Sequence, residues 1–122
     1  MIFLALSENL FNKIKKILEN EGLKYKFIED GETLITLTKR YKPDLIILEK
    51  DLPLLDGFAA TLLLKSDKET EEIPILGICK SRYKEEEIKA KDSGCDEVLV
   101  CPFTEEQILF KIKEIFKKRS EK

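Results

Sequence analysis

Histidine and tryptophan are absent from the 122 residues, and Met1 and Gln107 are the single representatives of their types. Without histidine, the usual Ser-His-Asp triad and every His-containing zinc site are excluded. Three cysteines, Cys79, Cys95 and Cys101, form no CxxC pair, and an odd number cannot all be paired with one another. No apolar stretch approaches the ~20 residues that a membrane helix needs. The apolar run Met1 to Leu6 meets Ser7-Glu8 at once and is short for a secretion signal. A reducing, cytoplasmic setting without a membrane partner is therefore expected. Nor is there an excess of one charge: 22 Lys+Arg stand against 24 Asp+Glu, for a net −2, which offers no general attraction to nucleic acid. Lysine and glutamate supply 36 of the residues, a bias reported for hyperthermophile proteins.

What is present is an alternation. The length suits one domain, 1–122, with 119–122 expected as a frayed tail or the start of a linker. Ile2 to Leu6 is a continuous apolar run, as a strand buried on both faces should be. Leu10, Phe11, Ile14, Ile17 and Leu18 follow at helical spacing until Glu21-Gly22. Tyr25 to Ile28 reads as a strand, and a helix with Leu34, Leu37 and Tyr41 runs to Pro43. Asp44 to Leu48 is the clearest buried strand. A loop through Pro53 and Asp56-Gly57 leads to a helix carrying Phe58, Leu62 and Leu63. Pro74 to Ile78 and Val98 to Val100 are further strands, separated by a weakly amphipathic helix, Lys84 to Ser93. Thr104 to Gln107 has the spacing of a capping box for a last helix with Ile108, Ile112, Ile115 and Phe116 inside. Five strand–helix units of this kind imply an α/β fold, a doubly wound parallel sheet with helices on both faces. Ligands of such sheets sit at the carboxyl ends of the strands.

Those ends read Leu6-Ser7-Glu8, Glu49 with Asp51, Cys79-Lys80, and Cys101-Pro102. Several runs are characteristic in order and spacing: Pro43 to Leu48, then Leu52-Pro53-Leu54-Leu55-Asp56-Gly57, then Ile73-Pro74-Ile75-Leu76, then Gly94 to Val98 leading to Cys101-Pro102-Phe103. Over essentially the whole chain this resembles the receiver domain of bacterial response regulators, the CheY-like fold. The resemblance implies strand order 2-1-3-4-5, a cis Cys101–Pro102 peptide, and a place in two-component phosphorelay signalling.

It also implies a chemistry from which these residues depart. Where receivers carry two acids that hold Mg²⁺, this chain has Leu6 and Ser7, with Glu8 one place on. Glu49 stands at the phosphoacceptor aspartate, Cys79 at the Thr or Ser of the fourth strand, Cys101 at the conserved lysine, and Val98 at the switching aromatic. The expectation is a pseudo-receiver: not an enzyme, with no cofactor and Mg²⁺ binding lost or weak. It would act through a histidine kinase, an effector or a second copy. Glu49 reads either as a solvated strand-end carboxylate or as a mimic of aspartyl phosphate. The alternatives are phosphorylation at Glu49, with weak metal candidates Glu8, Glu49 and the Asp51 carbonyl, or a redox switch in which Cys79 and Cys101 form a reversible disulfide. An FMN carrier shares the architecture, but Ser7-Glu8-Asn9-Leu10 is a poor phosphate-cradling loop. On the last helix, Leu109 and Phe110 are expected to point outward and, with Tyr83, to form a partner surface, homodimer included.

Overall fold

In the computed structural model, which describes residues 1–80 and 84–120, strands and helices alternate without exception. The strands are β1 (Ile2–Ala5), β2 (Tyr25–Phe27), β3 (Leu45–Glu49), β4 (Ile75–Cys79) and β5 (Glu97–Val100). The helices are α1 (Glu8–Asn20), α2 (Gly31–Tyr41), α3 (Gly57–Lys65), α4 (Lys84–Ser93) and α5 (Glu105–Ser120). All strand pairs are parallel, in the order β2-β1-β3-β4-β5, as the resemblance implied. The Cys101–Pro102 peptide is cis.

Because successive strand residues face opposite ways, the sheet sorts its side chains into two cores. Ile2, Leu4, Leu45, Ile47, Leu76, Ile78 and Leu99 meet α1 and α5 on one face. Phe3, Ala5, Ile46, Leu48, Ile75, Cys79 and Val98 meet α2, α3 and α4 on the other. β1, β3 and β4 are buried at every position, and that is why they read as unbroken apolar runs.

Local signals fix the helix starts. Asp30 accepts the Thr33 N–H at 2.7 Å to cap α2, and Asp56 accepts the N–H groups of Phe58 and Ala59 to cap α3. The capping box of α5 is reciprocal: Thr104 N–H donates to Gln107 Oε1 at 2.8 Å, and Gln107 N–H donates to Thr104 Oγ1 at 3.1 Å. Two glycines permit close approaches. A Cβ on Gly57 would collide with the Glu49 carbonyl, and one on Gly77 would lie 2.9 Å from Cys95 Sγ. Lys65, at the end of α3, ties three segments together: its ammonium donates to the carbonyls of Glu71 and Ile73 and meets Asp96 Oδ2 at 2.8 Å. The same Asp96 oxygen accepts the Ile75 N–H, so this knot sets the start of β4 against the start of β5.

The structure departs from the sequence pattern in three helices. Of the apolar residues that marked α3, only Phe58 is buried; Ala60, Thr61 and Leu64 complete the inner face, and Leu62 and Leu63 face solvent. In α2, Thr38 takes the buried place and Tyr41 is exposed, because the inward stripe passes through residues 31, 34 and 38. α5 continues as helix through Ser120, and Arg119 donates to the Asp44 carbonyl at 2.6 Å, so the expected fraying from 119 does not hold for Arg119 and Ser120.

The α3 assignment has a direct check in urea unfolding. Leu64→Ala should cost about 2–5 kcal/mol, as for a filled core position. Leu63→Ala should stay within about 0.5 kcal/mol of the parent.

Candidate functional site

The carboxyl ends of β1, β3 and β4 converge on a single buried acid. Glu49 closes β3, and burial leaves it 1% exposed. A carboxylate in that position needs partners, since an unpaired charge costs several kcal/mol to bury. It has two. The Ser7 N–H, just past β1, donates to Oε2 at 2.6 Å, and the Lys80 ammonium, just past β4, lies 2.7 Å from Oε1. One carboxylate oxygen therefore accepts a hydrogen bond from the end of β1, and the other is ion-paired with the ammonium beyond β4. Glu49 is thus neither solvated nor free, and the reading of a solvated strand-end carboxylate is corrected: the sheet register brings Glu49 opposite Ile78, within a lysine's reach of residue 80.

The Lys80 side chain is about half exposed, so the pair has one dry member and one wet one. Its hydrogen bond to Glu49 raises the Lys80 pKa above the ordinary lysine range, burial acting weakly the other way. The sequence shows Lys80 only as the residue that follows Cys79 at a strand end. The available signal was the expected neighbourhood of the third and fourth strands, which sets the residue after Cys79 beside the residue that ends the third.

Of the other predicted residues, Asp51 and Cys101 lie near enough to Lys80 to act on its charge, but they add no contact to the carboxylate. Leu6 is buried and has no polar side-chain atom, whereas Glu8 and Asp51 face solvent. Among the described residues no three Asp, Glu or Cys side chains come together in a way that could hold a metal ion. Cys101 N–H donates to the Cys79 carbonyl at 2.8 Å, so the two backbones are adjacent. Their side chains are not. Cys79 pairs in register with Val100 and packs in the α2–α4 core, while Cys101, one residue further along, packs against the α1–α5 core. All three thiols are free, and burial pushes the Cys79 thiol up to about 12 and Cys101 upward as well. The proposed disulfide pair is therefore corrected by the alternation of the sheet: its thiols lie on opposite faces, and neither is poised as a thiolate.

This geometry, an acid closing β3 at the rim of a 2-1-3-4-5 parallel sheet, has close counterparts. The sequence matches the response regulator receiver domain over residues 7–113. The chain belongs to that family. Among curated relatives, it is 32% identical over 83% of its length to the DNA-binding dual master transcriptional regulator RpaA of Synechocystis sp., and spans only 42% of that protein. It is 29% identical to Protein PilH of Pseudomonas aeruginosa, covering 84% of this chain and 85% of PilH. Among solved structures, it superposes with a TM-score of 0.81 on the receiver domain of the Saccharomyces cerevisiae response regulator Ssk1, solved with the histidine phosphotransfer protein Ypd1. That likeness covers 93% of this chain and 87% of that one at 21% identity. Receiver domains are signalling modules that engage protein partners such as histidine kinases and phosphotransfer proteins. Among the described residues of this receiver domain, no helix is long and apolar enough to cross a membrane.

The predicted partner surface is partly revised. Phe110 is 63% exposed on α5, but Leu109 packs against the α1–α5 core beside Ile108 and Ile112, because the inner stripe of the helix is wide enough to include it. Tyr83 lies outside the described residues.

Replacing Lys80 tests the ion pair. Lys80→Met should lower stability at neutral pH by about 1–3 kcal/mol, the cost of leaving a buried acceptor without its donor. Because the folded pKa of Lys80 is raised, its contribution is full below the unfolded lysine pKa and is lost as pH rises through the folded value. Urea unfolding across the alkaline range should therefore show the parent and Lys80→Met converging.

Proposed function

We propose that this receiver domain is a cytoplasmic, non-enzymatic module of a phosphorelay system that signals through protein contacts, without Mg²⁺-dependent aspartyl phosphorylation. The observation that carries this reading is the Glu49–Lys80 ion pair. Phosphoryl transfer depends on positioning and charge neutralisation, and each lost electrostatic contact costs on the order of 2–4 kcal/mol. Here the strand-end carboxylate is buried, and both of its oxygens are already taken by Ser7 N–H and Lys80. Leu6 brings no side-chain oxygen to a hard cation, Glu8 and Asp51 are exposed, and among the described residues no three acids gather as a metal site, so this donor set does not fit Mg²⁺. The position that the resemblance assigns to a conserved lysine holds Cys101, and a cation reaches the pocket from β4 instead.

The pair also gives the mimic reading of Glu49 a physical form. The carboxylate at the end of β3 holds the first residue beyond β4 by its ammonium, as a cross-link that needs neither phosphate nor metal. Phosphorylation at Glu49 itself is disfavoured by the same two contacts, since the attacking oxygen would first have to leave one of them. Partner binding is assigned to the α5 face around Phe110, the large apolar side chain that α5 leaves in water.

Intact-mass measurement after incubation with Mg²⁺ and acetyl phosphate tests the proposal. The expected result is an unmodified chain beside a conventional receiver that labels fully. A stoichiometric, hydroxylamine-labile phosphate adduct would overturn it.

A further inference from the structure

α3 is apolar on both sides. Its inner face fills the core with Phe58, Ala60 and Leu64. Its outer face carries Ala59, Leu62, Leu63 and Ser66 at i, i+3, i+4 and i+7, a second complete stripe at helical spacing. Leu62 and Leu63 are each 54% exposed, and the Ser66 hydroxyl is turned back onto the Leu62 carbonyl at 2.7 Å. The one charged residue of the helix, Lys65, is spent inside the knot with Asp96. In a chain in which 38% of residues are charged, none of these four is charged. A helix apolar all round is ordinarily covered all round. Leu54, in the loop leading to α3, adds to the cost: it is 74% exposed and held at φ 67, a left-handed conformation that leucine adopts only against strain.

We infer that the outer face of α3 is a self-association surface, on which a second copy of this chain docks antiparallel about a two-fold axis. Three features favour that occupant and that orientation. An antiparallel two-fold centred between Leu62 and Leu63 sets Ala59 opposite Ser66, small against small, so the backbones can approach and the leucines can interlock. It also stacks α2 of one copy beside α2 of the other, running the opposite way. The first turn of α2 is acidic, with Glu32, and its last turn carries Arg40 beside Lys39, which Asp67 already holds at 3.2 Å, so Glu32 of one copy then faces Arg40 of the other at both ends of the interface. A parallel arrangement would instead bring Glu32 against the acidic first turn of α4, which disfavours it. This surface is separate from the strand-end pocket and from Phe110 on α5, so the inference stands independently of how the domain is switched.

Sedimentation equilibrium over a concentration series, extended to millimolar chain, provides the test. The expected weight-average mass rises from that of one chain, 14.2 kDa, toward twice that value. The double variant Leu62→Glu/Leu63→Glu should remain at one chain with an unchanged thermal midpoint, while Phe110→Ser should dimerise like the parent. Orientation is read by oxidation in a Cys101→Ser background: Ala59→Cys chains mixed with Ser66→Cys chains should give a mixed disulfide dimer in excess over either self-paired dimer. A single-chain mass at every concentration would overturn the inference. So would a dimer that survives in Leu62→Glu/Leu63→Glu, or preferential self-pairing of Ala59→Cys.

Discussion

A parallel sheet covered on both faces leaves its central strands no solvent side, and this constraint organises the rest of the molecule. In β1, β3 and β4 every side chain must go to one helical layer or the other, so polar chemistry is pushed to the strand ends. An acid at such an end is still partly inside. Glu49 is held there because neighbouring strands end beside it and each supplies one donor: a backbone N–H from one, an ammonium from the other. The pairing follows from the strand order, since β3 is the strand flanked by β1 and β4.

The fold was legible because burial on both faces writes long apolar runs. Leu45-Ile46-Ile47-Leu48 needs no neighbours to be recognised, and Thr104 announces the helix it caps. Legibility fails where a helix is apolar on more than one side. In α3 the inner and outer stripes are both apolar, and the choice between Leu62-Leu63 and Ala60-Leu64 rests on how the N-cap and the close contact of Gly57 with the Glu49 carbonyl set the rotation of the helix. In α5 the difficulty is smaller: Leu109 lies at the margin of a stripe that is simply wider than three positions.

At the site, the sequence marked the right rim but not the right pairing. Ser7 and Glu49 were named, and they meet. Cys79 and Cys101 were also named, and their backbones meet, yet one residue of offset sends their thiols to different cores. Lys80 carries no such mark, because a lysine after a strand looks like any solvated lysine until the register gives it a carboxylate. Departures from a family pattern are visible in a sequence one position at a time. A contact such as that of Glu49 with Lys80 depends on two strands at once.

The Lys65 knot has a consequence for how this sequence can vary. One ammonium there satisfies two carbonyls of one loop and a carboxylate of another, and no neutral side chain offers that many donors in that place. Its neighbours Leu62 and Leu63, on the outer surface of α3, leave more than half of their surface to solvent. A single short helix thus carries one of the positions least open to drift directly beside some of the most open. Any constraint found on Leu62 or Leu63 among descendants of this sequence would have to be imposed from outside the fold.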